Sequence, residues 1–495
     1  MSETPESQTY DLIVIGGGVN GAGVARDAAG RGASVLLLEK GDLASGTSSK
    51  STKLVHGGLR YLEYYEFALV REALGEREVL WRIAPHIVWP MRFILPVTDN
   101  MRNPAVLRAG LFLYDHIGGH GEFRKTKSVK LKKHRAGAPL ERAYKRAFEY
   151  SDGWVDDARL VVLNALDARE HGADIRPRTE VFGAHRDGGD WVVESSDGTF
   201  RGRALVNAAG PAADDVAKLA GEKPSYGIRR VRGSHIVVPK LFDHDCAYIL
   251  QQPDTRICFA IPWENDFTLV GTTDADHKGS LDDPEASDEE VRYLLDAVNR
   301  YFEHDVTQAD VLHTYAGVRA LVDLGEGRPE AATRGYRLAL SAEAEGAPLL
   351  GIYGGKLTSY RHVAEETVDL LAGRLPVFKG EHWTGKEALP GGDFDHRAQH
   401  HLIDVLAEEY PFLSERDTLR IGRAYGTRAV DWLGDAKSWD DLGKNFGAGL
   451  SQVEVDYLRD AEWAETAEDV LWRRTKLGMH LSEAEQAAVK EYLGG

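Results

Sequence analysis

Apolar residues follow three patterns along this chain. The first is the short unbroken run. Leu12-Ile13-Val14-Ile15 and Val35-Leu36-Leu37-Leu38 contain no polar member, as expected of strands buried on both faces. Ala204-Leu205-Val206-Asn207-Ala208-Ala209-Gly210-Pro211 reads as another such strand, ending in small residues. The second is helical spacing, which predicts helices over Ala22 to Gly30, Leu62 to Ile83, Leu107 to Ile117 and Ser287 to Phe302, and over most of the chain after residue 393. The third is alternation cut by turn residues. Asp187-Gly188-Gly189-Asp190 and Asp197-Gly198 predict hairpins between Glu180 and Arg203, and a second β-rich block spans Ser234 to Thr273. Pro390-Gly391-Gly392-Asp393 reads as a linker.

The opening elements form one unit. Gly16-Gly17-Gly18-Val19-Asn20-Gly21 joins the first strand to the first helix, and Glu39 ends the second strand. This is G-x-G-x-x-G in a βαβ context with an acid where a ribose would lie. Gly16 permits the tight turn, Gly18 the approach of a pyrophosphate, and Gly21 close helix–strand packing. The helix N-terminus supplies N–H groups and a positive dipole end. Dinucleotide binding follows. Leu349 to Arg361 repeats the strand, glycine loop and helix order around Gly354-Gly355. No second G-x-G-x-x-G occurs, which argues against a nicotinamide partner.

Composition narrows the class. At 495 residues, two or three domains of roughly 150 residues each are expected. A net charge of −18 argues against nucleic-acid binding. Two cysteines, Cys246 and Cys258, exclude an iron–sulfur centre or structural zinc. No secretory signal and no bilayer-length apolar run is read, so a cytoplasmic or membrane-surface location is expected. One segment reverses the overall charge. From Arg124 to Arg146 basic residues predominate, which suits a solvated face or contact with anionic lipid headgroups.

With these features the chain resembles the FAD-dependent glycerol-3-phosphate dehydrogenases, nearest to the aerobic respiratory type. The resemblance rests on Asp11 to Gly23, Thr47-Ser48-Ser49, Lys53 to Leu62, Tyr150 to Leu160, Gly233 to Pro239 and Gly271-Thr272-Thr273-Asp274. It continues in Gly317-Val318-Arg319, Gly354 to Thr358 and Leu471-Trp472-Arg473-Arg474-Thr475-Lys476. It implies an α/β fold: an FAD-binding Rossmann-like domain of the glutathione-reductase-like, D-amino-acid-oxidase type, interleaved with a β-rich substrate domain, then a helical C-terminal domain. The expected FAD parts are 1–85, 150–225 and 315–375. The substrate parts are 86–149 and 226–314, residues 1–388 form the oxidoreductase region, and 389–495 form the C-terminal domain.

The implied reaction is oxidation of sn-glycerol 3-phosphate to dihydroxyacetone phosphate, with hydride transfer to non-covalently held FAD and electrons passed to a membrane quinone. A soluble oxidase releasing hydrogen peroxide is the alternative. A homodimer and peripheral membrane attachment, through the basic segment and residues near Leu111-Phe112-Leu113, are also implied. The chemistry needs a phosphate clamp, for which Arg60, Tyr61, Arg319 and Arg334 are candidates. It needs a proton acceptor, for which His56 is favoured slightly over His235. Lys356 is expected near the flavin N1–C2=O edge. FAD contacts are expected from Gly16, Gly18, Asn20 and Gly21 at the pyrophosphate and from Glu39 at the ribose. Thr47, Ser48, Ser49, Lys53, Leu54 and His56 are placed along the flavin, Val181 at the adenine, and Ala209, Gly210, Gly355, Lys356, Leu357 and Thr358 at the cleft. No metal site is expected.

Overall fold

A computed structural model of the chain describes residues 9–98, 103–119, 121–323, 335–341 and 346–494. The two predicted apolar runs form adjacent parallel strands, Leu12–Ile15 and Val35–Leu38, in a six-stranded sheet. Its spatial order is Tyr336–Leu340, Leu349–Gly354, Leu205–Asn207, Leu12–Ile15, Val35–Leu38, Asp174–Arg176. All neighbours are parallel except the first pair. Side chains alternate between two cores. Leu12, Val14, Val35 and Leu37 pack with residues of the helices Val19–Gly30, Asp157–Glu170 and Tyr360–Ala372. Ile13, Ile15, Leu36 and Leu38 pack with Trp191 and Val193 of a four-stranded sheet. Both faces are dry, which is why these strands carry no polar residue.

The hairpins predicted around Asp187 to Asp190 and at Asp197-Gly198 are present, joining Val181–Asp187, Asp190–Ser195 and Gly198–Gly202. Gly188 and Gly189 both take positive φ at the first turn, the conformation a tight hairpin needs.

A larger sheet, built mainly from Val88–Pro96, Arg146–Val155, Gly227–Pro239, Ala247–Gln251, Ile257–Trp263, Phe267–Gly271 and His313–Asp323, forms the second body. The helix Asp288–Asn299 packs on one face and starts at a capping box of Ser287 and Glu290. The helices Phe67–Ile83 and Pro104–Ile117 contribute to the core on the other. Two strands straddle the expected boundaries. Arg146–Val155 runs through residue 150 and His313–Asp323 through 315, because each pairs along its whole length inside this sheet.

The C-terminal helices, among them Gln399–Glu409, Glu415–Tyr425, Gln452–Glu462 and Glu483–Tyr492, enclose a core of their own. Of the segment Pro390-Gly391-Gly392-Asp393, read as a linker, the first three residues are buried together with Leu389, and only Asp393 is exposed. Leu389 N donates to Ile83 O at 2.7 Å and Thr427 N to Gly391 O at 3.1 Å. Gly391 has φ +86° and lies too close to the Tyr425 carbonyl to admit a side chain. The strap is glycine-rich because backbone packs on backbone there, not because the chain is loose.

Candidate active site

A cavity of about 1790 Å³ lies between the two sheets and receives the loops at the carboxyl ends of the parallel strands, where ligands bind in open α/β folds. Gly16, at φ +113°, turns the chain from strand to helix, and a Cβ there would sit 2.7 Å from Ala208 O. A Cβ on Gly21 would collide with Gly16 O. Gly21 therefore does not line the cavity; it seats the helix on the strand. At Gly18 a Cβ would meet only Ser48 Oγ, at 3.1 Å, so backbone is exposed to the cavity there.

The helix Val19–Gly30 has no side-chain cap at Gly18. Val19 N donates to Ser48 Oγ at 3.0 Å. Asn20 Nδ2 donates to Gly354 O at 3.4 Å, while its Oδ1 is buried without a partner. A buried amide oxygen left unpaired costs about 1–3 kcal/mol, so this wall is built for a ligand that donates or bridges.

Glu39 lines the cavity, but both of its oxygens already accept backbone N–H bonds, from Gly17 at 2.6 Å and Gly41 at 2.8 Å. It braces the glycine turn in addition to any ribose contact, for which each carboxylate oxygen keeps a second lone pair. Burial raises its pKa and the two N–H bonds oppose that rise.

Thr47, Ser48, Leu54, His56, Ala209, Gly210, Gly355, Lys356, Leu357 and Thr358 all line the cavity. Ser49, Lys53 and Val181 do not. Lys53, at φ +60°, turns its ammonium under the loop, where it donates to Ser49 O at 3.0 Å and to the Asp157 carboxylate at 2.8 and 2.9 Å. Ser49 thus serves through its carbonyl, and Lys53 holds the loop's shape. Val181 is the first residue of its strand, and its neighbour Glu180 reaches the cavity instead.

The same cavity is also lined by His56, Arg60, Tyr61, His235, Arg319 and Lys356. Arg334 lies outside the described residues. Arg319 comes from the strand His313–Asp323, in register with Val231. Its Nη2 donates to Thr272 Oγ1 at 2.8 Å and its Nη1 to Thr273 O at 3.2 Å and to Asp274. A Cβ at Gly233 would overlap the guanidinium, so Gly233 is needed to seat it. Lys356 Nζ stands 3.8 Å from the centre of the Tyr61 ring, a cation–π contact. Arg60 Nη2 reaches Tyr64 Oη at 3.4 Å.

The two histidines differ in kind. His235 is buried, stacks on Tyr315 at 4.7 Å, and shares a hydrogen bond with Thr52 Oγ1 at 3.0 Å. Burial, together with the nearby Arg319 and Lys53 charges, holds its pKa well below the ordinary histidine value. It is neutral at pH 7 and takes up a proton poorly. His56 is half-buried, follows the strand Leu54–Val55, and has its backbone N directed at Thr358 Oγ1 at 3.4 Å.

Sequence reasoning missed the supports behind these groups. Asp152 accepts from Tyr114 Oη at 2.8 Å, from Arg77 at 2.8 Å and from Gly57 N at 3.4 Å, next to His56. Glu290 accepts from Ser234, Thr273 and Arg232 and so fixes the segment that holds Arg319. Burial alone would raise the Glu290 pKa, but hydrogen bonds from Thr273, Ser287 and Arg232 outweigh it and bring it down to about 2. Apart from the Ser287–Glu290 cap, their partners lie 17 to 95 residues away, so no local spacing joins them to the site.

Comparison with known proteins agrees with this geometry. Residues 11–361 match the family model described as FAD dependent oxidoreductase, and 382–493 match that of the C-terminal domain of alpha-glycerophosphate oxidase. The chain is 49% identical to the glycerol-3-phosphate dehydrogenase of Pseudomonas aeruginosa, covering 99% of this chain and 96% of that one. It is 45% identical to the aerobic glycerol-3-phosphate dehydrogenase of Escherichia coli, over 98% and 97%.

The chain belongs to the FAD-dependent glycerol-3-phosphate dehydrogenase family. Another relative of this dehydrogenase is the D-erythritol 1-phosphate dehydrogenase of Brucella abortus, 49% identical over 98% of both chains. A glycerol-3-phosphate dehydrogenase structure from Bacillus halodurans, complexed with FAD, superposes with a TM-score of 0.73 at 26% identity, over 98% of this chain and 94% of that one. FAD is the cofactor of the dehydrogenase, bound without a covalent link. The residues present fit it: a glycine cradle open at Gly18, an orphaned Asn20 Oδ1, and a cavity running from Glu39 to His56. Among its described residues no helix is long and apolar enough to cross a membrane, and no acidic, histidine or cysteine cluster could hold a metal ion.

Proposed function

We propose that the enzyme oxidises sn-glycerol 3-phosphate to dihydroxyacetone phosphate and delivers the electrons to a membrane quinone. Bound FAD supplies the hydride acceptor. The observation that carries this reading is that Arg319, Arg60, Tyr61, Lys356 and His56 line the same cavity as the glycine turn at Gly16 and Gly18. Arg319 and Arg60 grip the phosphate through guanidinium N–H groups. Tyr61, stacked under Lys356, forms a wall that orients the three-carbon chain and excludes water. His56 accepts the C2 hydroxyl proton, because His235 is held neutral by burial and is a poor base. Lys356 offsets the negative charge that the reaction leaves in the cavity.

Anaerobic addition of glycerol 3-phosphate to the flavin-loaded protein, followed by absorbance, tests this. Bleaching of the flavin band, with reoxidation by a quinone faster than by air, is expected. Unchanged absorbance overturns the substrate assignment, and brisk peroxide release without quinone supports the oxidase alternative. The Brucella abortus relative gives a second reading, in which D-erythritol 1-phosphate is the substrate. The same titration with both compounds separates them by which one bleaches the flavin at the lower concentration.

Peripheral membrane attachment is part of the proposal. Tyr64, Tyr65, Val106 and Phe112 are exposed apolar residues, and Tyr64 and Val106 also line the cavity. Arg124, Lys125, Lys130, Lys132 and Lys133 of the basic segment are exposed as well. Lys127, Arg135 and Arg142 pair with Glu149, Asp245 and Glu303, so only part of the segment's charge is open to lipid. A homodimer, implied by the family resemblance, is checked by sedimentation of the purified enzyme.

A further inference from the structure

The motif Leu471-Trp472-Arg473-Arg474-Thr475-Lys476 has no part in the chemistry above, yet it lies against the cavity. It belongs to a π-helical turn, Asp469–Arg474, and the residues that follow. The turn sends two successive arginines to one target. Arg473 Nε donates to Asp42 at 2.6 Å, and Arg474 donates to both Asp42 oxygens at 2.7 and 2.8 Å. Asp42 sits in the loop between Glu39 and Thr47, most of which lines the cavity. Lys476, at φ +58°, turns the other way and donates to Asp156, which caps the helix Asp157–Glu170. The next residue, Asp157, holds Ser51, which lines the cavity, and Lys53 behind it.

A third tie joins Asp469 to Arg178, whose backbone N donates to Gly41 O at 2.8 Å. Glu468 and Arg473 themselves line the cavity. Asp42, Arg473 and Arg474 are all buried, so breaking one pair leaves an uncompensated charge out of water.

We infer that residues 465–476 of the C-terminal domain form a clamp that sets how long FAD stays bound. Three supports behind the cofactor wall, at Asp42, at Asp156 with its neighbour Asp157, and at Arg178, are each tied to this one turn. FAD cannot leave past the loop 40–48 without that loop moving, and the loop cannot move while Asp42 is held by two guanidinium groups. Arg474 and Arg178 are positioning residues: they act on FAD through Asp42 and the Gly41 backbone.

The test compares Arg474→Met, Arg474→Lys and Arg178→Gln with Leu458→Ala, a buried position in the C-terminal core away from the cavity. FAD release after dilution is read from the rise of free-flavin fluorescence, and thermal stability is measured alongside. Arg474→Met and Arg178→Gln are expected to release FAD at least about tenfold faster than wild type, with Arg474→Lys between. Leu458→Ala is expected to melt earlier and release FAD at the wild-type rate. If the arginine variants release FAD no faster than Leu458→Ala, the turn merely fastens two domains and the clamp is wrong. Should Arg474→Met fail to fold, Arg178→Gln, whose side chain is partly exposed, decides alone. The inference rests on FAD occupying this cavity. Wild-type protein unable to hold flavin defeats that reading, whereas wild type that holds it and variants that keep it equally long defeat the clamp alone.

Discussion

His56 and His235 show how one residue type takes two roles. Both line the cavity, and sequence context alone separates them little. His235 is stacked on Tyr315 and desolvated next to Arg319, so protonation there sets charge against charge. His56 is only half-buried and has Asp152 behind its neighbour Gly57. His56→Gln is therefore expected to slow flavin reduction by glycerol 3-phosphate by about 10²–10⁴-fold, the usual worth of a positioned base. Rapid mixing under anaerobic conditions measures it, and a rate within a factor of a few of wild type removes His56 from the base role. Gly16, Gly18, Asn20, Arg319 and Lys356, each singled out within a local motif, all line the cavity. Lys53 stands inside a cofactor-loop motif too, but it is turned from the cavity because Asp157, a hundred residues on, takes its ammonium.

At the scale of elements, two features carry consequences. The turn Glu264–Asp266 joins Ile257–Trp263 to Phe267–Gly271 and lies by Arg423 and Lys476 of the C-terminal part. Burial raises the Glu264 pKa from the ordinary 4.5 to about 7, against the pull of Lys476 and Arg423. A raised carboxyl contributes stability that is full below about 4.5 and is lost as pH climbs through about 7. Glu264→Gln is thus expected to melt above wild type at pH 8 and to show no gain at pH 4. A pH series of melting curves checks the sign.

The helix Pro104–Ile117 buries Leu111 and Tyr114 while Phe112 is 62% exposed and Val106 56%. An amphipathic helix with aromatic residues outward and arginine nearby suits a headgroup interface. Phe112→Glu is expected to reduce co-sedimentation with anionic phospholipid vesicles and to leave flavin reduction by substrate unchanged. Binding equal to wild type ends that assignment. This helix was legible from its spacing. The buried strap at Leu389–Gly392 was not, since proline and glycine mark a loose linker and a tight backbone crossing alike.

Across the whole molecule, histidines set the acid limit. His86 is pushed down to about 3, and His244, His313 and His480 to about 4, each chiefly by burial. The unfolded chain takes up these protons near 6.5 while the native protein does not, so native stability falls as pH drops from about 6.5 towards 4. The melting temperature is expected to decline steadily over that range, and a flat profile would contradict it. The sequence by itself determined the βαβ unit, the hairpins, the helical C-terminal part and the identity of most cavity residues, because strand, turn and helix signals are written within a few neighbours. Only the tertiary structure decided which distant strands share a sheet, that Asp157 takes Lys53, that His235 loses its basicity, and that a C-terminal turn reaches the cofactor loop. Those outcomes depend on which charges are removed from water together, and desolvation is a property of the folded interior rather than of any local stretch of chain.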